Sequence, residues 1–408
     1  MTAREYPVFT VTPKAERSLR AGHPWVYGEE VTAVEGAYQN GDMVDVVSNK
    51  GRYLGTGWVN DHSKIRVRII SRNANDTFDE AFFRRRVCYA LNYRKTVMGP
   101  VDYRCCRLIF GEADQFPGLT VDRFENILVT QVLSLGMERR KDWVYRALVE
   151  LLREDGEQID AIYERNDVTI RTLEGLEQGK GFYQTEGLRT DLSGHVTITE
   201  NGIKYDVDYI EGQKTGFFLD QKYNRQAAAK LARGRRVLDC FTHTGAFALN
   251  AAAAGAEHVT AVDVSAFALE LAAENGKRNG LTNLDYKCAD VFDLLTEMAK
   301  EKKCDYDYII LDPPAFTKSR ATAKNAYHGY KEINRKAMRL LPRGGYLATC
   351  SCSHFMTDEM FRKMLQEAAL DAGVTLRQIE ARQQAPDHPI LPEVPETDYL
   401  KFYLLQVV

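Results

Sequence analysis

From residue 236 to residue 351, short apolar runs alternate with helical stretches, and this alternation constrains the fold more than any other feature. "RRVLDCF", "HVTAVDVS", "LDYKCADV", "YDYIILDPP" and "GGYLATCS" are each followed by a stretch of helical pattern. Such alternation predicts a mostly parallel sheet with helices on both faces. "YIIL" in the fourth run is apolar throughout, as a strand buried on both sides must be. Ligands of open parallel sheets bind beyond the carboxyl ends of the strands. Here those ends are acidic: Asp239, Asp263, Asp290 and Asp312 close the first four runs and form a polar rim around one cleft.

The chemistry of the rim narrows the ligand. The first loop, "FTHTGAFALN", carries one glycine, Gly245, and has neither the G-x-G-x-x-G spacing of dinucleotide binders nor the G-K-[ST] of a phosphate loop. Carboxylates suit a cationic or neutral ligand better than a pyrophosphate. An acid after the second strand can accept two ribose hydroxyls, and an acid after the third an adenine amino proton. Ribose and adenine without phosphate describe S-adenosylmethionine (SAM). NAD shares the ribose-binding acid but requires the glycines. In Asp312-Pro313-Pro314-Ala315-Phe316 the two prolines fix the backbone just past the strand. A planar base could stack on Phe316 while hydrogen bonding near Asp312; the alternative is a rigid strand-to-helix turn with a core Phe.

A chain of 408 residues predicts two or three domains. Residues 1–72 read as a small β domain, with short β-branched runs between Gly and Asn/Asp turns and basic residues bunched at Lys14, Arg17, Arg20 and at Lys64, Arg66, Arg68, the latter on one strand face. Residues 73–190 read as an α+β unit, with helices over "FDEAFFRRRVCYALNYRKTV" and "RKDWVYRALVELLRE" and late strands "AIYERND" and "VTIRTLEG". Residues 191–408 form the α/β part. The net charge of −3 argues against non-specific coating of nucleic acid but not against a local basic patch. Residues 84–107 hold seven Lys/Arg and one acid, Asp102, which could neutralise phosphates or simply form a solvated helix face. No run reaches the roughly 18 apolar residues of a membrane span. The N-terminal stretch lacks a signal-peptide core, so a cytoplasmic protein with no membrane partner is expected. Eight irregularly spaced cysteines predict reduced thiols.

The stretches "SLRAGHPWVYGEEV", "GTGWVNDHSKIRVRII", "GEADQFPGLTVDRF", "GQKTGFFLDQKYNR", "VLDCFTHTGAFAL", "VDVSAFALELAAEN", "DPPAFTKSR", "CSCSHF" and "DHPILPEVPETDYLKFY" follow one another along nearly the whole chain. In these the sequence resembles the class I SAM-dependent 23S rRNA cytosine-5 methyltransferases that carry an N-terminal PUA domain. The resemblance implies a PUA domain, an α+β linking domain and a Rossmann-like methyltransferase domain. It implies that Asp239, Phe241, Thr244 and Gly245 line the methionine end, that Asp263 with Ser265 binds the ribose, and that Asp290 binds the adenine. Asp220 and Arg225 would close over SAM, with Arg225 a partner for its carboxylate and Asp312 at the edge of the same site. Pro313, Pro314, Phe316 and Lys318, with Lys14, Arg17, Lys64 and Arg66, would meet ribosomal RNA of the large subunit.

The same resemblance places the nucleophile at Cys352, in Ser351-Cys352-Ser353. Cytosine C5 needs a thiolate on C6 before it can take a methyl group, and Asp312 is the candidate donor near N3. Cys350 lies deeper along the run and reads as core packing. Cys-x-Cys with His354 lacks a second ligand pair, so no metal is expected. Many RNA cytosine-5 methyltransferases have a release cysteine directly after Asp-Pro-Pro; here that residue is Ala315, which leaves open whether Cys350 contributes. The remaining thiols, Cys88, Cys105, Cys106, Cys240, Cys288 and Cys304, are expected to be buried, and His23, Pro24 and Trp25 to be structural. A guanine-N7 methyltransferase, a non-catalytic ribosome-assembly factor and a small-molecule methyltransferase are the competing readings. The target nucleotide, the base that removes the C5 proton, and the oligomeric state, a homodimer included, are left open by the residues.

Overall fold

The structure is a computed structural model and describes residues 5–301, 304–317 and 319–408. Its contacts divide the chain into two units. The first comprises the chain up to Ile198 with Val207–Leu219 and Pro386–Thr397; the second comprises Thr199–Asp206, Asp220–Ala385 and Asp398–Val408.

The first unit holds two sheets. A six-stranded sheet runs Trp25–Tyr27, Ile65–Ser71, Tyr53–Val59, Met43–Ser48, Val8–Val11, Val31–Glu35 across its width. Alternate residues such as Phe9, Val11, Val44, Val46, Val67 and Ile69 fill its core. The second sheet, of five strands between Cys105 and Phe182, packs against helices Glu80–Asp102 and Lys141–Glu154. The two segments separated at residue 72 are therefore joined in one unit. Buried Glu174 is a tie between them: it accepts from Asn60 at 2.9 Å and pairs with Arg68 at 2.9 Å. Burial would raise its carboxyl, but Arg68 and the hydrogen bonds outweigh that and hold it below the usual range.

That tie corrects two expectations. "VTIRTLEG" is not a strand: Thr169–Glu174 is a 3-10 turn, fixed by buried Arg171 and Glu174 despite its β-branched residues. The basic stripe on Ile65–Ser71 is also broken, because Arg68 turns inward to Glu112 and Glu174 and Arg66 pairs with Asp61. The cations of residues 84–107 are likewise engaged. Arg84 pairs with Glu154, Arg85 with Asp76, Arg94 with Asp114, Lys95 with Asp155, Arg104 with Glu125 and Arg107 with Asp122. Arg86 lies over the Phe82 ring. Ion pairs lace this cluster into the unit, with Arg84, Arg85 and Arg104 still partly exposed.

The second unit carries a seven-stranded sheet: β1 (Arg236–Cys240), β2 (His258–Asp263), β3 (Leu284–Cys288), β4 (Tyr308–Leu311), β5 (Tyr346–Ser351), β6 (Leu376–Arg382) and β7 (Lys401–Val407). The order is β3-β2-β1-β4-β5-β7-β6. The first five strands are parallel, as the alternation predicts, whereas β7 runs antiparallel to both β5 and β6. Helices α1 (Lys222–Ala229), α2 (Ala246–Ala253), α3 (Ala266–Arg278), α4 (Val291–Glu301), α5 (Ala323–Leu340) and α6 (Asp358–Ala372) accompany the sheet. Two separate apolar cores follow, one built around Val237, Val259, Ile310 and Phe402, the other around Leu238, Ile309, Leu347 and Tyr403. Strand order reverses between β1 and β4, and the ends of β1, β4 and β5 therefore meet at the point where such sheets bind ligands.

Candidate active site

The loop after β1 is built for close approach. Phe241 and His243, neither of them glycine, hold φ of 62° and 51°, and Gly245 holds 84°. Non-glycine residues in the left-handed region are uncommon and mark functional loops. At Gly245 a Cβ would lie 2.9 Å from the Ala272 Cβ, so this turn packs directly on α3. Thr242 donates to Asp239 Oδ2 at 2.5 Å and the Ala248 N–H donates to the same oxygen at 2.9 Å. The other oxygen, Oδ1, is buried with no hydrogen-bond partner among the described residues. Burial lifts the Asp239 carboxyl to about 7; like charge from Asp312 and Asp263 adds to this, while Thr242 and the Ala248 N–H oppose it.

Asp263 is locked by main-chain donors, the N–H of His243 at 2.9 Å and of Ser265 at 2.9 Å. Ser265 caps α3 by accepting from the Ala268 N–H. Val264, beside it, is 73% exposed and offers an apolar face next to a fixed carboxylate. Asp290 accepts from the Asp293 N–H at 3.1 Å, so one of its oxygens serves the first turn of α4. Phe241 packs toward the core, and Thr244 lies half-buried on the loop; it is Thr242, not Thr244, that binds Asp239. SAM fits this set. An orphaned buried carboxylate oxygen can receive an ammonium, fixed carboxylates at the next two strand ends can receive hydroxyl and amino protons, and no phosphate cradle is present among the described residues.

Asp312, at the end of β4, accepts from Gln221 Nε2 at 3.0 Å. Gln221 is held by Asn224 at 2.7 Å, and Asn224 accepts from Arg382 at 3.2 Å. Burial, then the charge of Asp220, pushes Asp312 up to about 6, against the pull of Arg225 and Gln221. Asp220 itself accepts from the Tyr399 hydroxyl at 2.6 Å. Cys350 is fully buried, and burial, with the charge of Asp312 adding to it, raises its thiol well above the ordinary value. Cys352 lies one step past the end of β5, half-buried, with Sγ 4.0 Å from the Pro313 carbonyl oxygen. The structure thus brings Cys352 and the Asp-Pro-Pro segment together and separates the two thiols by burial.

Other expected site residues stand differently. Arg225 is fully buried and grips Glu200 through Nε at 2.6 Å and Nη2 at 2.8 Å, so it supports the site from within the fold rather than reaching for a ligand. Pro313 is buried and Pro314 exposed. Phe316 packs its ring on Tyr330 (4.5 Å between centroids) and Phe292 (5.8 Å), with Gly329 against one edge; it is anchored to the core and stays half-exposed. Lys318 lies outside the described residues. Lys14, Arg17, Lys64 and Arg66 all belong to the first unit: Lys14 stands 3.1 Å from Glu30, Arg66 is tied to Asp61, and Arg17 and Lys64 are exposed. Cys288 is exposed, because it points outward at the end of edge strand β3. Among the described residues no group of three His, Cys, Asp or Glu is placed to hold a metal ion, and no helix is long and apolar enough to cross a membrane.

The sequence reasoning missed Gln221, Asn224 and Lys401 as site residues. Tyr330 is buried and shares a 2.9 Å hydrogen bond with the Ser353 hydroxyl. Lys401 donates from Nζ to the carbonyl oxygens of Ser353 at 2.7 Å and Tyr399 at 2.8 Å. Lys401 had a signal, a lysine opening the largely apolar run "KFYLLQV"; an amide such as Gln221 had none.

The sheet order, the strained loop after β1 and the acidic strand ends define a SAM-dependent methyltransferase. Residues 182–405 match the model of an S-adenosylmethionine-dependent methyltransferase family, and residues 9–72 match that of a PUA-like domain. The chain is 40% identical over 401 residues to a ribosomal RNA large subunit methyltransferase I of Pseudoalteromonas atlantica, covering 98% of this chain and 99% of the relative. It is 42% identical over 399 residues to that of Shewanella denitrificans, covering 97% and 98%. A solved Streptococcus mutans structure assigned as a SAM-dependent methyltransferase shares the fold with a TM-score of 0.81 at 22% identity, covering 98% of this chain and 100% of the other. The chain belongs to the ribosomal RNA large subunit methyltransferase I family.

Proposed function

We propose that this protein methylates C5 of a cytosine in large-subunit ribosomal RNA, with Cys352 as nucleophile and Asp312 as proton donor. The observation that carries the reading is the meeting of a half-buried thiol and the Asp-Pro-Pro segment at adjacent strand ends, 4.0 Å from Cys352 Sγ to the Pro313 oxygen. Asp239, Asp263 and Asp290 would hold SAM, which would supply an electrophilic methyl group. The Cys352 thiolate forms a bond to C6, the C5=C6 pair shifts to C4=C5, and the displaced N3=C4 pair takes the Asp312 proton at N3. With its carboxyl near 6, Asp312 keeps a protonated fraction close to neutral pH. Once C5 carries the methyl group, N3 returns its proton to Asp312, and loss of the C5 proton with expulsion of the Cys352 thiolate restores the ring. A guanine-N7 reaction would leave this thiol without a task.

Division at residues 72 and 190 into PUA-like, linking and methyltransferase domains is the working organisation, with Arg17 and Lys64 as the open cations of the first. The reaction belongs in the cytoplasm, where large-subunit RNA is made. The test is incubation with labelled SAM and either protein-free or assembled large-subunit RNA, followed by mass mapping of the product. A methyl group on cytosine C5, lost in Cys352→Ala while SAM binding is kept, is expected. Wild-type rates in Cys352→Ala would overturn the covalent route.

A further inference from the structure

Lys401 opens β7, directly opposite Ser351 in the antiparallel ladder. Its side chain is 4% exposed, and its ammonium is bound to the main-chain oxygens of Ser353 and Tyr399. Cys352 lies between the two residues that Lys401 brackets, Ser351 by strand register and Ser353 by hydrogen bond. Two carbonyls take two of the three ammonium donors, and among the described residues no carboxylate forms an ion pair with it. Burying an ammonium without a paired anion is costly, and a strand that needed only packing would hold an apolar residue here.

We infer that Lys401 supplies the positive charge that favours the thiolate of Cys352, acting on the reaction through that thiol as a positioning residue. The inference rests on the reading of Cys352 as nucleophile. Burial pushes the Lys401 ammonium down to about 8, and the strongest influence in the other direction is Cys352, ahead of Asp398 and Asp358. Other groups whose charge couples to the two thiols are Tyr330, which faces Cys352 from α5, and Asp312, which faces Cys350 from β4; Cys350 and Cys352 also couple to each other on β5. Asp358 is itself engaged by Arg362 and Tyr403. A cation beside a cysteine lowers the thiol below its ordinary value of about 8.5. Proton loss goes to solvent, and the ammonium keeps its own proton.

The test is the pH dependence of iodoacetamide alkylation at Cys352, read peptide by peptide in the full-length protein, for wild type, Lys401→Met and Lys401→Arg. The wild-type midpoint is expected below about 8.5, Lys401→Met at least about one pH unit higher, which is tenfold less thiolate at neutral pH, and Lys401→Arg nearer wild type than Lys401→Met. SAM binding by calorimetry confirms that each variant is folded. An unchanged midpoint in Lys401→Met overturns the inference. So does a wild-type midpoint at or above the ordinary value, a measurement that needs no variant to fold. If Cys352→Ala is inactive and the midpoint does not move, the Lys401 inference alone fails. If Cys352→Ala methylates normally, the nucleophile reading fails whatever the alkylation shows.

Discussion

Replacing Arg225 by Met separates two roles for the same residue. In the structure Arg225 and Glu200 form a two-point ion pair, at 2.6 and 2.8 Å, with side chains 3% and 0% exposed. Removing the guanidinium leaves the Glu200 carboxylate buried and uncompensated, which typically costs about 3–5 kcal/mol. A domain of this size shifts its melting temperature by roughly 2–4 °C per kcal/mol, so a fall of about 6–20 °C is expected. Substituting both partners, Arg225→Met with Glu200→Met, removes the stranded charge and should recover most of the loss. Below its melting temperature the single variant should bind SAM with an affinity close to wild type. The assays are scanning fluorimetry for the melting temperature and calorimetry for SAM. An unchanged melting temperature together with lost SAM binding would refute the structural role and return Arg225 to the cofactor.

Asp239 makes stability depend on pH. An aspartyl group near 3.9 in the unfolded chain and about 7 in the folded one is protonated preferentially in the folded state. Its stabilising contribution is full below the unfolded value and lost as pH rises through about 7. The melting-temperature advantage of neutral, isosteric Asp239→Asn over wild type, both without SAM, should therefore grow as pH is raised from about 5 to about 8. Because the ligand ammonium favours the carboxylate, SAM binding near neutral pH should release protons in wild type and not in Asp239→Asn, as read by calorimetry in buffers of different ionisation enthalpy. Gly245→Ala places a methyl group 2.9 Å from the Ala272 Cβ at a φ of 84°; a loss of about 1–3 kcal/mol and weaker SAM binding are expected by melting and titration. Gln221→Ala removes a hydrogen bond that holds Asp312 down, so the limb of the pH–rate profile on which Asp312 loses its proton should move to higher pH.

What the sequence discloses here follows from how each feature is encoded. β1 to β5 and the acidic rim are local: an apolar run and the residue ending it sit side by side in the chain, so Asp239, Asp263, Asp290 and Asp312 could be placed without coordinates. β6 and β7 are not local in that sense. Their antiparallel pairing with each other and with β5 depends on a chain return through residues 386–397, which belong to the first unit. The ion pairs of Arg225 and of cations in the 84–107 cluster, such as Arg107, were hidden for one reason. Charge composition cannot distinguish a cation aimed at a ligand from one whose partner, such as Glu200 or Asp122, comes from a distant part of the chain. The packing of Phe316 was hidden similarly, because only the fold shows Tyr330, Phe292 and Gly329 closing on its ring.

The two cysteines near the end of β5 make the same point with opposite outcomes. Two residues apart, they would share a face if the strand continued, and on sequence alone Cys350 could replace the release cysteine missing at Ala315. The strand ends at Ser351, so Cys352 leaves the sheet toward Pro313 while Cys350 stays beneath it. A release thiol must reach C6 or the C5 proton and ionise near neutral pH. Cys350 is fully buried, and burial, with the charge of Asp312 adding to it, raises its thiol well above the ordinary value. Those properties suit a group that steadies the Asp312 carboxyl and are wrong for one that attacks or deprotonates a base. Cys350→Ala should therefore remain able to turn over and free its RNA, with a changed pH–rate profile through Asp312. Accumulation of a covalent protein–RNA adduct in that variant, seen as a denaturant-resistant band, would instead assign Cys350 to release.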